Sequence, residues 1–382
     1  MTAATPRRPR LGVDFHVWDG IFQGSRSHLI GLYRAAIRQA PDIDFVFFQE
    51  GSDSLRSAYP EFGASNVRLV RMGHKPAVVR LAVQLPWLQW RHKLDLLHMQ
   101  YRLPFLRLGA CACTIHDVLF ETHPQFFEPR FAWQSRISGR MATRRAKLLF
   151  AVSQFSKSEL VRLYGVGPGD VAVTCNGVDW QRFRPGDGGR AEVESLGLEP
   201  GNYILTVGRL EPRKNHETLV RAYASLGTDA PPLVIVGQRD FSYGGVFDAI
   251  AQLGLQDRIK VLERVGDDTL PALMRHALVF AYPAFAEGFG MQVAEAMASG
   301  VPVITSNTTS LPEVAGDGAL LVDPSSVEAL AQALQQLLSN SALRERLVTA
   351  GLMHVRQFDW EHSATVLLTE VRAEIGRDRK NP

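Results

Sequence analysis

Short apolar runs alternate with helix-like segments along the first half of the chain. A helical pattern over residues 25–40 places Leu29, Leu32, Tyr33 and Ile37 on one face. Apolar runs precede and follow it at residues 11–15, 43–49, 94–99, 110–117 and 147–153. Strands that alternate with helices at this spacing indicate βαβ units, which build a parallel sheet with its ligands at the carboxyl edge.

The same alternation starts again beyond a stretch rich in Gly, Pro and charge at residues 185–201, which we interpret as an interdomain linker. Apolar runs follow at residues 202–209, 231–238, 258–263, 277–283, 301–306 and 318–323, with helical segments at 216–226, 268–277 and 293–300. We therefore predict an α/β protein of two Rossmann-like, doubly wound domains that face a cleft. The predicted ranges are 1–190, 191–359 and a C-terminal helix, 360–382, that packs back on the first domain.

Composition narrows the class of protein. Of the 382 residues, 46% are hydrophobic and 21% are charged, which excludes a disordered or fibrous chain. No apolar run approaches the ~20 residues that cross a bilayer, and no apolar region follows the basic start of the chain. The cysteines are Cys111, Cys113 and Cys175, an odd set without C-x-x-C spacing. We expect a cytoplasmic protein without a disulfide framework or a structural zinc site, with Cys111 and Cys113 in the core.

Charge is distributed unevenly between the two halves. Residues 1–190 carry 26 Lys and Arg against 15 Asp and Glu, whereas residues 191–382 carry 16 against 24. Residues 62–94 contain no acid, six basic residues (Arg68, Arg71, Lys75, Arg80, Arg91 and Lys93) and two tryptophans, Trp87 and Trp90. Such a stretch fits a peripheral contact with anionic lipid or a phosphorylated acceptor, and an ordinary solvated face is the alternative. No nucleic-acid-binding module is visible, so nucleic acid is not an expected partner.

The segment VGRLEPRKN (207–215) is the first candidate site. A predicted strand ends at Val207, and Arg209 and Lys214 lie in the loop before a helix that begins at His216. Two cations at the carboxyl edge of a sheet, beside a helix N-terminus, are suited to an anion such as a diphosphate. The sequences that bind nicotinamide dinucleotides or form a P-loop are absent, which disfavours both classes.

The segment AEGFGMQVAEAMASG (286–300) is the second candidate site. Glu287 lies in the predicted loop, and Glu295 lies about one turn into a helix that starts near Met291. The backbone N–H groups of Phe289, Gly290 and Met291 would be first-turn donors. Two carboxylates with oriented amides suit a polyhydroxylated ligand, because each carboxylate accepts from sugar or ribose hydroxyls.

Together these motifs resemble a known family. GRLEPRKN, EGFGMQVAE and SLPEVAGDGALLVDP, with VSQFSKSEL, CNGVDWQRFRP and the His116–Asp117 pair, resemble the retaining family-four glycosyltransferases of the GT-B fold. The run IHDVLFETHPQFF (115–127) is similar to bacterial mannosyltransferases that build surface polysaccharides. The resemblance covers about residues 94–370 and is most specific in the second half.

The resemblance implies roles for individual residues. Arg209 and Lys214 would bind the donor diphosphate, and Glu295 would hold the ribose hydroxyls. Glu287 and the amides of Phe289, Gly290 and Met291 would bind the donor hexose. His116 would contact that sugar, and Gly24 would lie in a loop facing donor and acceptor. We place His116, Arg209, Lys214 and Glu287 in the catalytic set, with no metal and no cofactor besides the nucleotide-sugar donor.

The sequence departs from the family at several positions. Leu262, Glu263 and Arg264 stand where a Gly-rich loop borders the base, which leaves the nucleotide open. The loop that contains Gly24 lacks the doubled glycine of the family. Gln292 stands where proline is usual, and Tyr282-Pro283-Ala284 stands where Pro-Ser is commoner. His98 and His116 lack a third ligand at a spacing that would indicate a metal.

We expect a hexosyltransferase that moves mannose from GDP-mannose to a lipid-linked or saccharide acceptor in polysaccharide or lipopolysaccharide synthesis. A UDP-sugar-dependent glucosyl- or galactosyltransferase is one alternative. A non-catalytic nucleotide-sugar-binding assembly protein is another.

Overall fold

The computed structural model describes residues 7–18, 24–51, 54–106, 108–266 and 268–380. In these residues the strands follow the alternation of the sequence. The strands are β1 (Arg10–Asp14), β2 (Asp44–Gln49), β3 (Val67–Arg71), β4 (Leu96–Gln100), β5 (Ala110–Ile115), β6 (Leu148–Ala151), β7 (Val171–Val173), β8 (Ile204–Val207), β9 (Leu233–Val236), β10 (Ile259–Leu262), β11 (Val279–Tyr282), β12 (Val303–Ser306) and β13 (Ala319–Val322).

Helices connect these strands in nearly every interval. They are α1 (Gly24–Gln39), α2 (Ser54–Ala58), α3 (Ala77–Val79), α4 (Leu85–Arg91), α5 (Leu119–Thr122), α6 (Pro129–Arg145), α7 (Gln154–Tyr164), α8 (Arg190–Ser195), α9 (His216–Ala224), α10 (Gly244–Gln252), α11 (Thr269–Arg275), α12 (Met291–Ala298), α13 (Leu311–Ala315), α14 (Val327–Ser339), α15 (Ser341–His354) and α16 (Trp360–Lys380). A π-helical turn, Arg80–Gln84, joins α3 to α4. In the part of the chain that the structure describes, no helix is long and apolar enough to cross a membrane.

The strands form two parallel sheets. The first has seven strands in the order β3-β2-β1-β4-β5-β6-β7, and the second has six in the order β10-β9-β8-β11-β12-β13. In each sheet the strand order reverses beside the first strand, between β1 and β4 and between β8 and β11. Ligands of doubly wound sheets bind at such a switch point, outside the carboxyl ends of the strands. The predicted α/β class with two Rossmann-like domains is confirmed.

The chain divides into two units, Met1–Gly177 with Asp359–Pro382 and Val178–Phe358. The boundary predicted at residue 190 thus lies inside the second unit. The start of the predicted linker, 185–201, is held there by the Arg275 guanidinium. This group donates to the carbonyls of Arg182 and Arg184, just before the segment, and of Gly188, within it, over 3.0, 2.8 and 2.6 Å. The segment also contains α8, so its Gly and Pro residues mark turns at the edge of a domain.

Helix α16 completes the core of the first unit. Its buried residues Leu367, Leu368 and Val371 join the apolar cluster formed by α1 and one face of the first sheet. The indole of Trp360 occupies the surface of α1 at Gly31, where a Cβ would lie 2.2 Å from Cε2 of the ring. Only glycine leaves room for this approach. The predicted face of α1 is also confirmed, since Leu29, Leu32, Tyr33 and Ile37 are all buried.

Candidate functional site

Both candidate motifs of the second unit lie at its switch point. Strand β8 ends at Val207, where the loop with Arg209 and Lys214 begins, and α9 starts at His216. The neighbouring strand β11 ends at Tyr282, and the loop that follows it leads to α12 at Met291. Because β8 and β11 are paired and parallel, the two loops leave the same edge of the sheet.

The structure brings Lys214 and Glu287 together. The Lys214 ammonium is buried and donates to Glu287 Oε1, and it also donates to the Tyr282 hydroxyl over 2.8 Å. The Tyr282 hydroxyl in turn donates to Glu287 Oε1 over 2.8 Å. Two of the three ammonium hydrogens are used in this triangle, which leaves one N–H for a ligand.

Arg213 completes this cluster, and the sequence did not single it out. Its guanidinium lies 3.0 Å from Glu287 Oε1 and 2.6 Å from Glu211 Oε1. It also donates to the Ala286 carbonyl over 2.8 Å, and the Phe285 N–H donates to the Arg213 carbonyl over 2.9 Å. Arg213 therefore ties the two loops to each other. The only signal for it in the sequence was that it is one of three basic residues in GRLEPRKN, and the sequence does not show which of these will contact Glu287.

The cluster fixes the charge state of Glu287. Burial alone would raise the pKa of this carboxyl, but the charges of Arg213 and Lys214 and the hydrogen bonds from Lys214 and Tyr282 hold it at about 2. Burial and the neighbouring Arg213 lower the pKa of Lys214, which the Glu287 carboxylate opposes. Glu287 is thus an anion at neutral pH and a very weak base.

Arg209 lies outside this cluster. Its guanidinium pairs with the Asp240 carboxylate, and both side chains are partly exposed. The loop that carries Asp240 runs beside the Arg209 loop, because the Leu210 N–H donates to the Gln238 carbonyl over 2.8 Å and the Asp240 N–H to the Leu210 carbonyl over 3.2 Å. Asp240 was not anticipated from the sequence. It positions a cation at the mouth of the site while leaving the remaining guanidinium donors to other partners.

The loop from Glu287 to Gly290 is fixed by hydroxyl groups. The Glu287 N–H donates to Thr309 Oγ1 over 3.0 Å. The Ser310 hydroxyl lies 2.8 and 2.9 Å from the carbonyl oxygens of Glu287 and Phe289, which share its one hydrogen. Gly290 has φ +100°, and a Cβ there would lie 2.6 Å from the Leu311 side chain. Glycine has no side chain that could cap the N-terminus of α12, so the binding role expected for the N–H groups of Phe289, Gly290 and Met291 stays a prediction.

Glu295 lies in α12, as predicted, and has an unusual protonation state. Burial raises the pKa of its carboxyl to about 8, with Arg182 opposing the rise and Asp179 adding to it. At neutral pH the group is therefore mostly a neutral acid. A protonated carboxyl both donates and accepts, which suits a pair of neighbouring hydroxyls such as those of a ribose.

Glu295→Gln is expected to make the chain more stable at alkaline pH. A carboxyl whose pKa rises from ~4.3 unfolded to about 8 folded stabilises fully below pH ~4, and that contribution is lost as pH rises through about 8. The neutral amide escapes this loss. Melting temperatures of the variant and the native chain should lie closest near pH 4 and differ by several degrees at pH 9. A difference that does not grow with pH would contradict the raised pKa, and the exposed Glu345→Gln is the control.

In the first unit His116 follows β5 and is buried. Its Nε2 is hydrogen-bonded to Gln100 Oε1, and its ring lies edge-on to His28 with centroids 4.9 Å apart. Burial, with minor effects of His28 and His98, holds the pKa of His116 well below its usual range, so the imidazole is neutral. The sequence analysis missed His28, whose Nδ1–H donates to Asn176 Oδ1 over 2.8 Å. Its signal was only a polar residue on the apolar face of α1.

One other prediction for the first unit changes. Gly24 was placed in a loop, but it is the exposed first residue of α1, and residues 19–23 of that predicted loop lie outside the described residues. His98 uses both ring nitrogens, with Tyr33 Oη at 2.5 Å and Thr114 Oγ1 at 2.8 Å. His98 is therefore a core residue. Among the residues that the structure describes, no group of three His, Cys, Asp or Glu side chains could hold a metal ion.

The segment expected to border a base is organised by an ion pair. Glu263 lies 2.7 Å from the Arg239 guanidinium, and Arg239 stacks on the rings of Tyr243 and Phe247 at 5.2 and 5.0 Å. This arrangement takes the place of the Gly-rich loop of the family.

Comparisons with known proteins agree with this architecture. The family model described as glycosyl transferases group 1 matches residues 190–352, and that of glycosyltransferase family 4 matches residues 22–182. O-antigen chain mannosyltransferase B of Escherichia coli is 35% identical over 268 residues, which cover 68% of this chain and 69% of that protein. D-inositol 3-phosphate glycosyltransferase of Rhodococcus opacus (strain B4) is 35% identical over 235 residues, covering 59% of this chain and 52% of the relative.

Among solved structures, Anabaena Alr3699/HepE in complex with UDP and glucose superposes with a TM-score of 0.76 at 19% identity, covering 96% of this chain and 100% of that one. This likeness shows the GT-B fold. With the family models and the Escherichia coli relative, it leads to one conclusion: the chain belongs to the family-four, group 1 glycosyltransferases.

Proposed function

We propose that this glycosyltransferase moves mannose from GDP-mannose, with retention of anomeric configuration, to a lipid-linked or saccharide acceptor in polysaccharide synthesis. The similarity to a protein named O-antigen chain mannosyltransferase B supports the sugar and the pathway class. The observation that carries the catalytic part is the buried cluster of Lys214, Glu287, Tyr282 and Arg213 at the switch point of the second sheet.

Arg209 and Lys214 have the task of neutralising the leaving diphosphate. Departure of a nucleoside diphosphate places negative charge on the β-phosphate, and fixed cations lower that barrier because they need no reorganisation. Lys214 is fixed by Tyr282 and Glu287, and Arg209 by Asp240. The first N–H groups of α12 add the positive end of a helix dipole.

Glu287 binds the donor hexose in this proposal and does not attack it. A carboxylate with a pKa of about 2 that already accepts from Lys214 and Tyr282 is a poor nucleophile and a poor base. It remains a good acceptor for a sugar hydroxyl. Without a protein nucleophile, retention follows from attack of the acceptor on the face that the diphosphate leaves, with the diphosphate oxygen taking the acceptor proton.

The other predicted residues keep, in this proposal, the roles that the family resemblance implies. Glu295, as a neutral acid, pairs with the ribose hydroxyls, and the amides of Phe289, Gly290 and Met291 bind near the hexose. A neutral His116 uses Nε2 for Gln100, so Nδ1 is the atom for a sugar hydroxyl. Gly24 keeps only a backbone role, at the start of α1. We propose no metal or further cofactor, so turnover should persist in a chelator.

The donor is tested by thermal shift with GDP-mannose, UDP-glucose, UDP-galactose and an ADP-sugar. A ligand that binds only the folded chain, present at about 100 times its Kd, stabilises that chain by ~2.7 kcal/mol. At equal ligand concentrations the proposed donor, GDP-mannose, should therefore raise the melting temperature most. A larger shift with a UDP-sugar would contradict GDP-mannose as the donor and support the alternative, a UDP-sugar-dependent transferase. The structure of the Anabaena protein in complex with UDP and glucose is the observation that favours this alternative.

Catalysis is tested separately from binding. Hydrolysis of the bound donor without acceptor, or transfer to an added saccharide, distinguishes an enzyme from the non-catalytic assembly protein. Anomeric configuration of the product, measured by NMR, tests retention.

A further inference from the structure

Residues 77–91 form a helical segment that is apolar on both sides. Its inner residues Leu81, Leu85 and Leu88 belong to the core against the first sheet. Its outer residues recur at one-turn spacing and are well exposed: Val79 42%, Val83 62%, Trp87 53% and Trp90 65%. A helix that covers a sheet normally shows polar residues to water, so the outer stripe predicts a second contact.

Neighbouring segments extend this surface. The Phe105 N–H donates to the Leu81 carbonyl over 3.1 Å, which places the exposed Phe105 and Leu106 beside the helical segment. Helix α6, which shares the same core cluster, exposes Phe131, Trp133 and Ile137. Of the 16 exposed large hydrophobic side chains in the described residues, 11 fall between residues 78 and 137. We call this set the apolar surface.

The exposed charges around the apolar surface are nearly all positive. Exposed basic residues accompany it at Arg68, Arg71, Lys75, Arg91, Lys93, Arg130, Arg140 and Arg144. In the described part of residues 62–147 the acids Asp95, Asp117 and Glu121 are half-buried, and Glu128 is the one exposed acid. Burial and the nearby Arg68, Arg91 and Arg10 lower the pKa of His92, in keeping with a positive field.

Arg80 does not belong to this surface, although it lies in the acid-free stretch. It is buried, and its guanidinium lies 3.9 Å from the buried Asp14 carboxylate. The structure therefore selects which of the basic residues face outward.

We propose that the apolar surface docks on an anionic lipid bilayer. Tryptophans favour the boundary between headgroups and acyl chains, and basic residues are attracted to an anionic leaflet. A second copy of the chain fits less well, because a two-fold contact through this face would set like charges against each other. The lipid-linked form of the acceptor rests on the proposed function, whereas the docking surface rests on exposure and charge alone.

The test is flotation of the full chain with vesicles of phosphatidylcholine, with and without phosphatidylglycerol. Two double variants are compared with the native chain: Trp87→Ser/Trp90→Ser and Arg91→Glu/Lys93→Glu. Each should lower the affinity for anionic vesicles by about tenfold or more. For the basic pair this follows because one basic residue contributes roughly fivefold to the affinity. Met353→Ser and Arg346→Glu are the matched controls, because both residues are exposed in the second unit, and these variants should bind as the native chain does.

Salt separates the two contributions. Raising ionic strength should weaken binding of the tryptophan variant to background but leave the native chain a residual affinity, because apolar contact is not screened. Equal binding to both vesicle types, or unchanged binding of both double variants, would overturn the proposal. So would a change of oligomeric state of Trp87→Ser/Trp90→Ser without lipid, measured by light scattering, since that outcome identifies a protein interface. Thermal shifts with GDP-mannose report on the second unit and stay independent of these outcomes.

Discussion

Lys214→Ala is expected to lower turnover by about 100-fold or more while changing donor affinity far less. The ammonium is fixed by Tyr282 and Glu287 before any ligand arrives, so its attraction is strongest when the diphosphate carries its full leaving charge. Loss of one such fixed group costs about two orders of magnitude in comparable sites. Steady-state kinetics that separate kcat from KM measure the effect.

Arg209→Ala should act in the same direction, because Asp240 holds this guanidinium at the same sheet edge. Arg346→Ala removes an exposed cation elsewhere in the second unit and should leave kcat unchanged. If both Lys214→Ala and Arg209→Ala retain turnover within about threefold of the native chain, the diphosphate role proposed for these cations is wrong.

Glu287→Gln should weaken binding of GDP-mannose by about tenfold to a hundredfold and leave free GDP bound almost normally. The amide keeps the shape of the side chain but loses a charge-assisted hydrogen bond to a sugar hydroxyl, worth about 1.5–3 kcal/mol. Glu287 also helps to fix Lys214, but the Tyr282 hydroxyl still holds that ammonium in the variant, so the contact with the diphosphate of GDP should be largely kept. Calorimetric titration with GDP and GDP-mannose gives both affinities, and equal losses for the two ligands would mean that Glu287 only supports the fold.

The same variant should also lose stability in a pH-dependent way. The pKa of Glu287 is about 2 in the folded chain, so its ionisation stabilises fully above pH ~4.3 and this contribution is lost as pH falls towards 2. In Glu287→Gln the buried Lys214 and Arg213 lose their shared anion. Its melting temperature should fall below that of the native chain at pH 7, and the gap should narrow in acid. Glu345→Gln, exposed, is the control.

The sequence predicted helices, strands and site residues best where the local pattern of apolar residues agrees with the burial that the fold imposes. Periodic apolar residues located α1 and its buried face. Short apolar runs located β8 and β11, and Arg209, Lys214 and Glu287 lie in the loops beyond their carboxyl ends. Strand β3 was missed because Arg68 and Arg71 interrupt its apolar pattern at the edge of the sheet, and β7 because it has three residues.

The sequence did not predict which side chains contact one another in the folded site. Arg213, Tyr282 and Asp240 are distant from at least one of their contacts along the chain, and no local spacing marks which basic or hydroxyl group will meet Glu287 or Arg209. The unit boundary was misplaced for a related reason. Glycine and proline near residue 186 mark turns, whereas the contacts of Arg275 that hold those turns become visible only in three dimensions.

The return of α16 to the first unit has a consequence for biosynthesis. The second unit is one uninterrupted stretch, Val178–Phe358, whereas the first needs residues from both sides of it. During translation the second unit can therefore fold as soon as it has left the ribosome, while the first waits for Trp360, Leu367 and Val371 to fill its core. Until then the α1 face that Trp360 covers stays open, and a nascent chain arrested before residue 360 would present it to chaperones.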